Sequence, residues 1–412
     1  MDLDVAYLRA QFPQLHDDPD LVFCSNAGGS FVASPVLDIF SHYNRHMRVQ
    51  PYAGYAVSNQ AGQAMDEARS GWSRALNIHP DELTIGPSTS LNSYVMAQAL
   101  ARNWGPGDEI IVTQQDHESN HGVWRYAAEA AGVTLKEWPI DPVTGLLDPQ
   151  ILYPLLTDKT RWVFFTHCSN VVGTVNPVPE IARLIRANSP ARICVDGVAY
   201  APHHIPDLAA LDVDMYLFSL YKVFGPHQGI MYLRRDLQGE LPPQSHFFLH
   251  QDSHKRFNPA GPQHAQVAAC RGVLDYFQDL YVHHQGPESA TPSARLQWLH
   301  TKIAAHEQKL AAALLDFLEP RSDTRVLGKP HVRDGDRSTT IAFKPLKKSA
   351  GEVAKAMQGA GIGTEHGHFY AYRALSHMGI KPEDGVVRIS LVHYNSIADV
   401  ERILSALERT LG

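Results

Sequence analysis

The sequence predicts a large, mainly parallel, doubly wound α/β sheet followed by a smaller α+β unit. Short apolar runs at 83–85, 110–112, 162–166, 193–195, 215–218 and 230–233 lack the alternation of a half-exposed strand, so each reads as a strand buried on both faces. Stretches of helical length and pattern separate most of them, which is the rhythm of a parallel sheet wrapped by helices. After Arg234 the rhythm stops. A polar, proline-rich segment, 235–262, leads into two long helical patterns and a few isolated strands. The boundaries expected from this are 21–265 for the large unit, with 1–20 and 266–412 forming the small one.

Taken in order, residues 1–20 carry one short helix that ends near Pro13. Residues 21–23 form a short strand entering Asn26-Ala27-Gly28-Gly29, either a loop that lets backbone approach a ligand or an ordinary turn. Helices are expected over 35–48 and 60–77. The strand at 83–85 runs into Gly86-Pro87-Ser88-Thr89-Ser90 and a helix over 91–102. A strand, a hydroxyl-rich turn and a helix N-terminus suit an anion, because free N–H groups and the helix dipole face it. Simple N-capping is the plainer account.

The strand at 110–112 ends near Asp116-His117-Glu118-Ser119-Asn120-His121, ahead of a helix over 122–131. The letters match HExxH, but that zinc motif needs a helix with both histidines on one face, and this copy follows a strand end. No metal is expected. The strand at 162–166 leads to His167-Cys168-Ser169-Asn170, and a helix at 179–187 precedes the strand at 193–195, which closes on Asp196. Between the last two core strands stand Ser219, Lys222 and the turn Gly225-Pro226. A lysine there is costly to desolvate unless it is paired or neutralised. It is either an imine-forming anchor or a side chain that reaches water from a strand end. Beyond the boundary come helices at 263–277 and 296–318, a strand at 339–343, a helix at 350–359, a strand at 386–391 and a last helix at 398–411.

Composition narrows the function classes. The chain has 412 residues, 44% of them hydrophobic, with 36 basic against 43 acidic side chains and a net charge of −7. That excludes a general affinity for nucleic acid or an anionic membrane surface. No apolar run approaches the ~20 residues that span a bilayer. The N-terminus lacks the basic-then-apolar layout of a secretory signal. Cys24, Cys168, Cys194 and Cys270 are far apart and form no CxxC pair, which fits a reducing, cytoplasmic setting.

The polar residues at the strand ends make one set: hydroxyls at a helix start, His117, Asn170, Asp196 and Lys222. A ring with a phosphate tail and a carbonyl would use all of them. The stretches GDEIIVTQQDHESN, THCSNVVGTVNPV, VDGVAYAPHHIPDLAALDVDMYLFSLYKVFGP, RFNPAGP and VVRISLVHYN carry a resemblance at this point. The chain resembles the class V aminotransferases of fold type I, which use pyridoxal 5'-phosphate (PLP), and within them the cysteine desulfurase and selenocysteine lyase branch. The resemblance implies that Lys222 is the Schiff-base lysine, that Asp196 pairs with the pyridine nitrogen and that His117 stacks on the ring. Ser88, Thr89 and Ser219 would hold phosphate, with Gly261 of RFNPAGP contributing backbone from a partner chain. Asn170 and Arg388 would take the substrate carboxylate, with His366 and Tyr370 beside the substrate side chain. A homodimer with the site at the subunit interface is implied as well.

The departures shape the expected chemistry. Ala199 stands where the branch has glutamine, and Tyr221 where it has histidine before the lysine. The loop that carries a cysteine nucleophile in desulfurases here runs Glu365-His366-Gly367-His368-Phe369-Tyr370-Ala371, with Tyr370 in the cysteine position and Glu365 in the arginine position. Cys168 is either a small buried residue or a substitute thiol. The expected activity is a lyase acting on a small amino acid, cleaving a side-chain Cβ–S or Cβ–Se bond without a persulfide. The alternatives are an aminotransferase or epimerase, and a non-catalytic scaffold. The pairs His203-His204 and His283-His284 are expected at the surface.

Overall fold

A computed structural model describes residues 2–332 and 335–412. The strands, in chain order, are β1 (Val22–Phe23), β2 (Leu83–Gly86), β3 (Glu109–Thr113), β4 (Thr134–Trp138), β5 (Thr160–Thr166), β6 (Arg192–Asp196) and β7 (Met215–Ser219). They continue as β8 (Gly229–Leu233), β9 (Thr324–Val326), β10 (Thr340–Pro345), β11 (Ile362–Gly363), β12 (Glu365–Gly367) and β13 (Val386–Ser390).

Seven of them form one sheet in the order β2-β8-β7-β6-β5-β3-β4. The β3–β4, β3–β5, β5–β6 and β6–β7 pairs are parallel, and only β8 runs against its neighbours. Because β8 opposes both β2 and β7, those two run the same way. The carboxyl ends of β2, β3, β5, β6 and β7 therefore share one edge, where ligands bind in open α/β sheets. The apolar runs are strands because helices cover both faces: β2, β7 and β8 are buried along their whole length. β4 is an addition to the expected set. Its sequence, TLKEW, is an edge strand whose charged Lys136 and Glu137 hide its strand character.

β12, β13, β10 and β9 make a second, antiparallel sheet, and β1 pairs with β11. The apolar cores divide elsewhere than at 265/266. The helix His264–His283 buries Val267, Val273, Phe277 and Leu280 in the core of the large sheet. The helix Pro292–Leu318 spans both cores, with Leu296, Leu299 and Ile303 in the first and Leu310, Leu314 and Leu318 in the second. Leu8 and Phe12 join the large core, whereas Val22 and Cys24 join the small one. Helical periodicity shows that a face is buried but not which sheet buries it. The segment 1–20 also holds two short helices, Val5–Arg9 and Gln14–Asp17, where one was expected.

Candidate active site

The shared carboxyl edge gathers most of the expected residues around one cavity. Thr89, His117, Asn170, Asp196, Ser219 and Lys222 line it. At one end, Thr89 Oγ1 and Ser219 Oγ share a buried hydrogen bond of 2.7 Å. Thr89 opens the helix Thr89–Ala101, so backbone N–H groups point the same way. Glycine at 229 permits this arrangement, since a Cβ there would collide with the backbone of Ser88 and Thr89. Ser88 has a different task from the expected one. Its hydroxyl accepts the Leu91 N–H at 3.2 Å as the N-cap, and Ser90 lines the cavity in its place.

Lys222 lies in a 3-10 turn just past β7 and is 6% exposed. Among the described residues its ammonium makes no hydrogen bond or ion pair, and it lies 5.8 Å from the centre of the Tyr221 ring. Burial pushes the amine down to about 8, Arg388 acts in the same direction, and Asp196 opposes. Asp196 ends β6, 4% exposed, and accepts the Val198 N–H at 2.8 Å. Burial lifts its carboxyl to about 6, while the Val198 bond and Lys222 pull it back. The His117 ring takes the Ser119 N–H on Nδ1 at 3.1 Å and pairs with Ser119 Oγ at 2.8 Å. Burial, then Lys222 and Arg388, push it to about 3, so it is a neutral imidazole at physiological pH.

The small sheet closes the site from above. Arg388 on β13 is buried, its Nη1 donates to the Asn170 carbonyl at 3.2 Å, and its guanidinium lies 3.8 Å from the centre of the Phe369 ring. Asn170 Nδ2 donates to the Phe369 carbonyl at 2.8 Å, which leaves Asn170 Oδ1 buried without a partner. The Tyr370 carbonyl accepts the Glu118 N–H at 2.8 Å, and the Tyr370 ring stacks on His117 with centroids 5.0 Å apart. Phe369 and Tyr370 both hold left-handed backbone, φ 50° and 59°.

One expected residue lies elsewhere. His366 sits opposite Val387 on β12, and its ring packs on Gly351 of the helix Ala350–Gly359. Glu365, one residue earlier, is opposite Arg388 and therefore on the other face. Its Oε2 accepts from Ser25 Oγ at 2.8 Å and lies 3.8 Å from Arg388 Nη2. Gly261, expected to serve the site of a partner chain, lines a second cavity of its own chain with Tyr52 and His264. The HExxH letters form no one-faced helix: Glu118–Asn120 is a single 3-10 turn between a cavity-facing His117 and a buried His121. All four cysteines are free and buried, and burial raises each thiol, to about 12 for Cys24 and Cys168. Sequence reasoning missed Ser90 and Ser119. Ser119 had a signal, since a hydroxyl two residues after a histidine at a turn can reach its ring.

The chemistry of this donor set is specific. Hydroxyls at a helix start suit a phosphate, and a buried carboxylate suits a protonated ring nitrogen. A neutral imidazole suits a ring face, and an unpartnered, partly deprotonated amine suits an imine. A profile of the family described as aminotransferase class-V matches residues 22–403. Over 410 residues the chain is 35% identical to the aminotransferase-like protein FGM3 of Gibberella zeae, covering 98% of each. It is 30% identical over 417 residues to the cysteine desulfurase-like protein ustD of Aspergillus flavus, covering 98% of this chain and 90% of that one. The solved structure of the cysteine desulfurase CsdA from Escherichia coli superposes on 100% of this chain and 99% of its own, with a TM-score of 0.84 at 22% identity.

Proposed function

The chain belongs to the class-V aminotransferase family and is a PLP-dependent enzyme, and from that premise we propose that it is a lyase. It cleaves the Cβ–S or Cβ–Se bond of a cysteine-type amino acid and releases the heteroatom without a protein persulfide. The reading rests on the resemblance, which sets Tyr370 where desulfurases carry their thiol, and it is supported by the burial of every cysteine with its thiol pushed up. Cys168 lines the cavity, but burial pushes its thiol up to about 12, so little thiolate nucleophile is available there near neutral pH.

The bound cofactor supplies a conjugated, electron-withdrawing ring that draws off the electron pair released at the substrate's Cα. The protein's own groups do the rest. Thr89, Ser219 and the N–H groups at the start of Thr89–Ala101 hold the phosphate. Asp196 keeps a proton on the ring nitrogen, and neutral His117 covers one face without adding charge. Arg388 and Asn170 orient the substrate carboxylate, a shape that a planar guanidinium fits with two parallel bonds. Lys222, once its amine is free, would take the Cα proton on Nζ. Its lowered affinity for a proton keeps part of the amine neutral near pH 8. For cysteine the balance is cysteine plus water giving pyruvate, ammonia and hydrogen sulfide, with no net oxidation.

A panel of cysteine, selenocysteine and S-substituted cysteines tests this: pyruvate and ammonia should appear together with sulfide, selenide or thiol. No product from any member would reject the lyase. The aminotransferase or epimerase reading uses the same Lys222 and Asp196 and departs only after the Cα proton is gone. FGM3, described as aminotransferase-like, keeps that alternative in view. It would show as a pyridoxamine absorbance or loss of chirality at Cα without fragmentation.

A further inference from the structure

Besides the main cavity, Lys222 lines a second, small void with room for about one water molecule. Lys222 and Ala199 form one part of its wall, and His203, Thr340 and Ser390 another. His203 also lines a larger, solvent-reaching cavity with Glu307, Tyr200 and Arg337. It therefore stands between the lysine and the outside. The His203 Nδ1 meets Glu307 Oε2 at 2.8 Å. Glu307 is buried on the helix Pro292–Leu318, and among the described residues its Oε1 has no hydrogen-bond partner.

A purely structural ion pair in that position would be expected to satisfy both carboxylate oxygens, because an unpaired buried polar atom is costly. With Nδ1–H donating to Glu307, the lone pair of the ring is left on Nε2. A histidine oriented by a carboxylate and lining a void that can take one water is built to move protons.

We propose that His203 and Glu307 form a proton relay that connects Lys222 to solvent through the small void. The inference rests on the reading of Lys222 as the base at Cα. After Lys222 takes the Cα proton, its ammonium passes one proton to a water in the void. That water passes one to His203 Nε2, and the imidazolium, stabilised by Glu307, releases one to the outer cavity. One proton moves and no electrons change hands. His203 and Glu307 are positioning and relay residues that touch neither substrate nor cofactor.

The test uses the PLP-loaded enzyme with L-alanine in deuterated water, since alanine has no leaving group and reports only exchange at Cα. Wild type should take up deuterium at Cα. His203→Gln and Glu307→Gln should each slow uptake about tenfold, a modest part of the 10²–10⁴ that a positioned acid or base contributes. Alanine affinity, read from the visible band, and the Tm should stay unchanged. Added imidazole should restore uptake in His203→Ala. Unchanged uptake in both variants, or a fall that imidazole does not repair, would overturn the relay. A second readout needs no turnover: in the cofactor-free protein, Lys222→Met should shift the ¹⁵N resonance of His203 Nε2, and an unmoved resonance counts against the connection. If wild type shows neither a visible band nor any exchange, the lysine assignment fails instead.

Discussion

The site is built from two regions that hold their side chains in opposite ways. The strand-end shelf, with Asp196, Ser219 and Lys222, is buried and set by the sheet itself: β6 and β7 fix the direction, and short turns deliver each residue. The loop after β12 is held from outside. Tyr370 is 67% exposed, and it and Phe369 occupy left-handed backbone that costs roughly 1–2 kcal/mol per residue. That cost is offset by the Asn170 amide, the Glu118 N–H and the His117 ring on the shelf side and by the Arg388 guanidinium of β13. Two of these, Asn170 and Arg388, are the groups proposed for the substrate carboxylate. The shelf is thus preorganised for chemistry, while the loop competes with substrate for the same donors. Damage to the shelf should abolish reaction, and damage on the loop side should change affinity.

The largest effect is expected at the centre of the shelf. Lys222→Ala should remove the borohydride-sensitive visible band and lower turnover by more than about 10⁴-fold, since it takes away both the anchor and the base. The same lysine gives a pH test. Its amine in the folded, cofactor-free protein binds its proton less tightly than an ordinary lysine, with a midpoint near 8 instead of 10.5. The nucleophilic, neutral form therefore gains population as pH rises through 8, and PLP recapture should accelerate over that window. A midpoint near 10.5 would mean that Lys222 is solvated, and the shelf would lose its distinguishing property.

A middle-sized effect belongs to the boundary between the regions. Arg388→Lys keeps the charge but loses the planar fork. Losing charge-assisted bonds of roughly 1.5–3 kcal/mol should lower kcat/KM for the amino acid about 10- to 100-fold, mainly through KM. The visible band should survive. If the band goes too, Arg388 supports the cofactor and belongs with the shelf.

What was legible in the sequence follows the same division. Strands buried on both faces announce themselves as unbroken apolar runs, as at Met215–Ser219, and a lysine beside one is conspicuous because packing cannot account for it. Edge strand β4 is interrupted by the adjacent charges Lys136 and Glu137 and left no such mark. The start of the helix Thr89–Ala101 fell two residues earlier than expected, which made Ser88 a cap and moved Ser90 to the cavity. His203 and His204 were expected at the surface but are largely enclosed, one by Glu307 and the other stacked on His300. Those partners lie about a hundred residues away, and no local pattern reports them.

The smallest effect probes why His366 and Glu365 exchanged roles. A three-residue strand carries almost no periodicity, so only its pairing with β13 decides which side chain faces the site. In the register Glu365↔Arg388, His366 faces the helix Ala350–Gly359 and stays exposed. His366→Ala should leave the visible band and kcat/KM within about twofold and stability within roughly 0.5 kcal/mol, as for an ordinary surface position. Glu365→Ala should lower KM about two- to fivefold, because a half-exposed carboxylate leaves the guanidinium that substrate must claim. If His366→Ala instead matched the loss seen for Arg388→Lys, the strand would pair one residue out of register in solution. The loop would then present the imidazole to the substrate, and the contrast between a fixed shelf and a competing loop would have to be redrawn around a strand that slides.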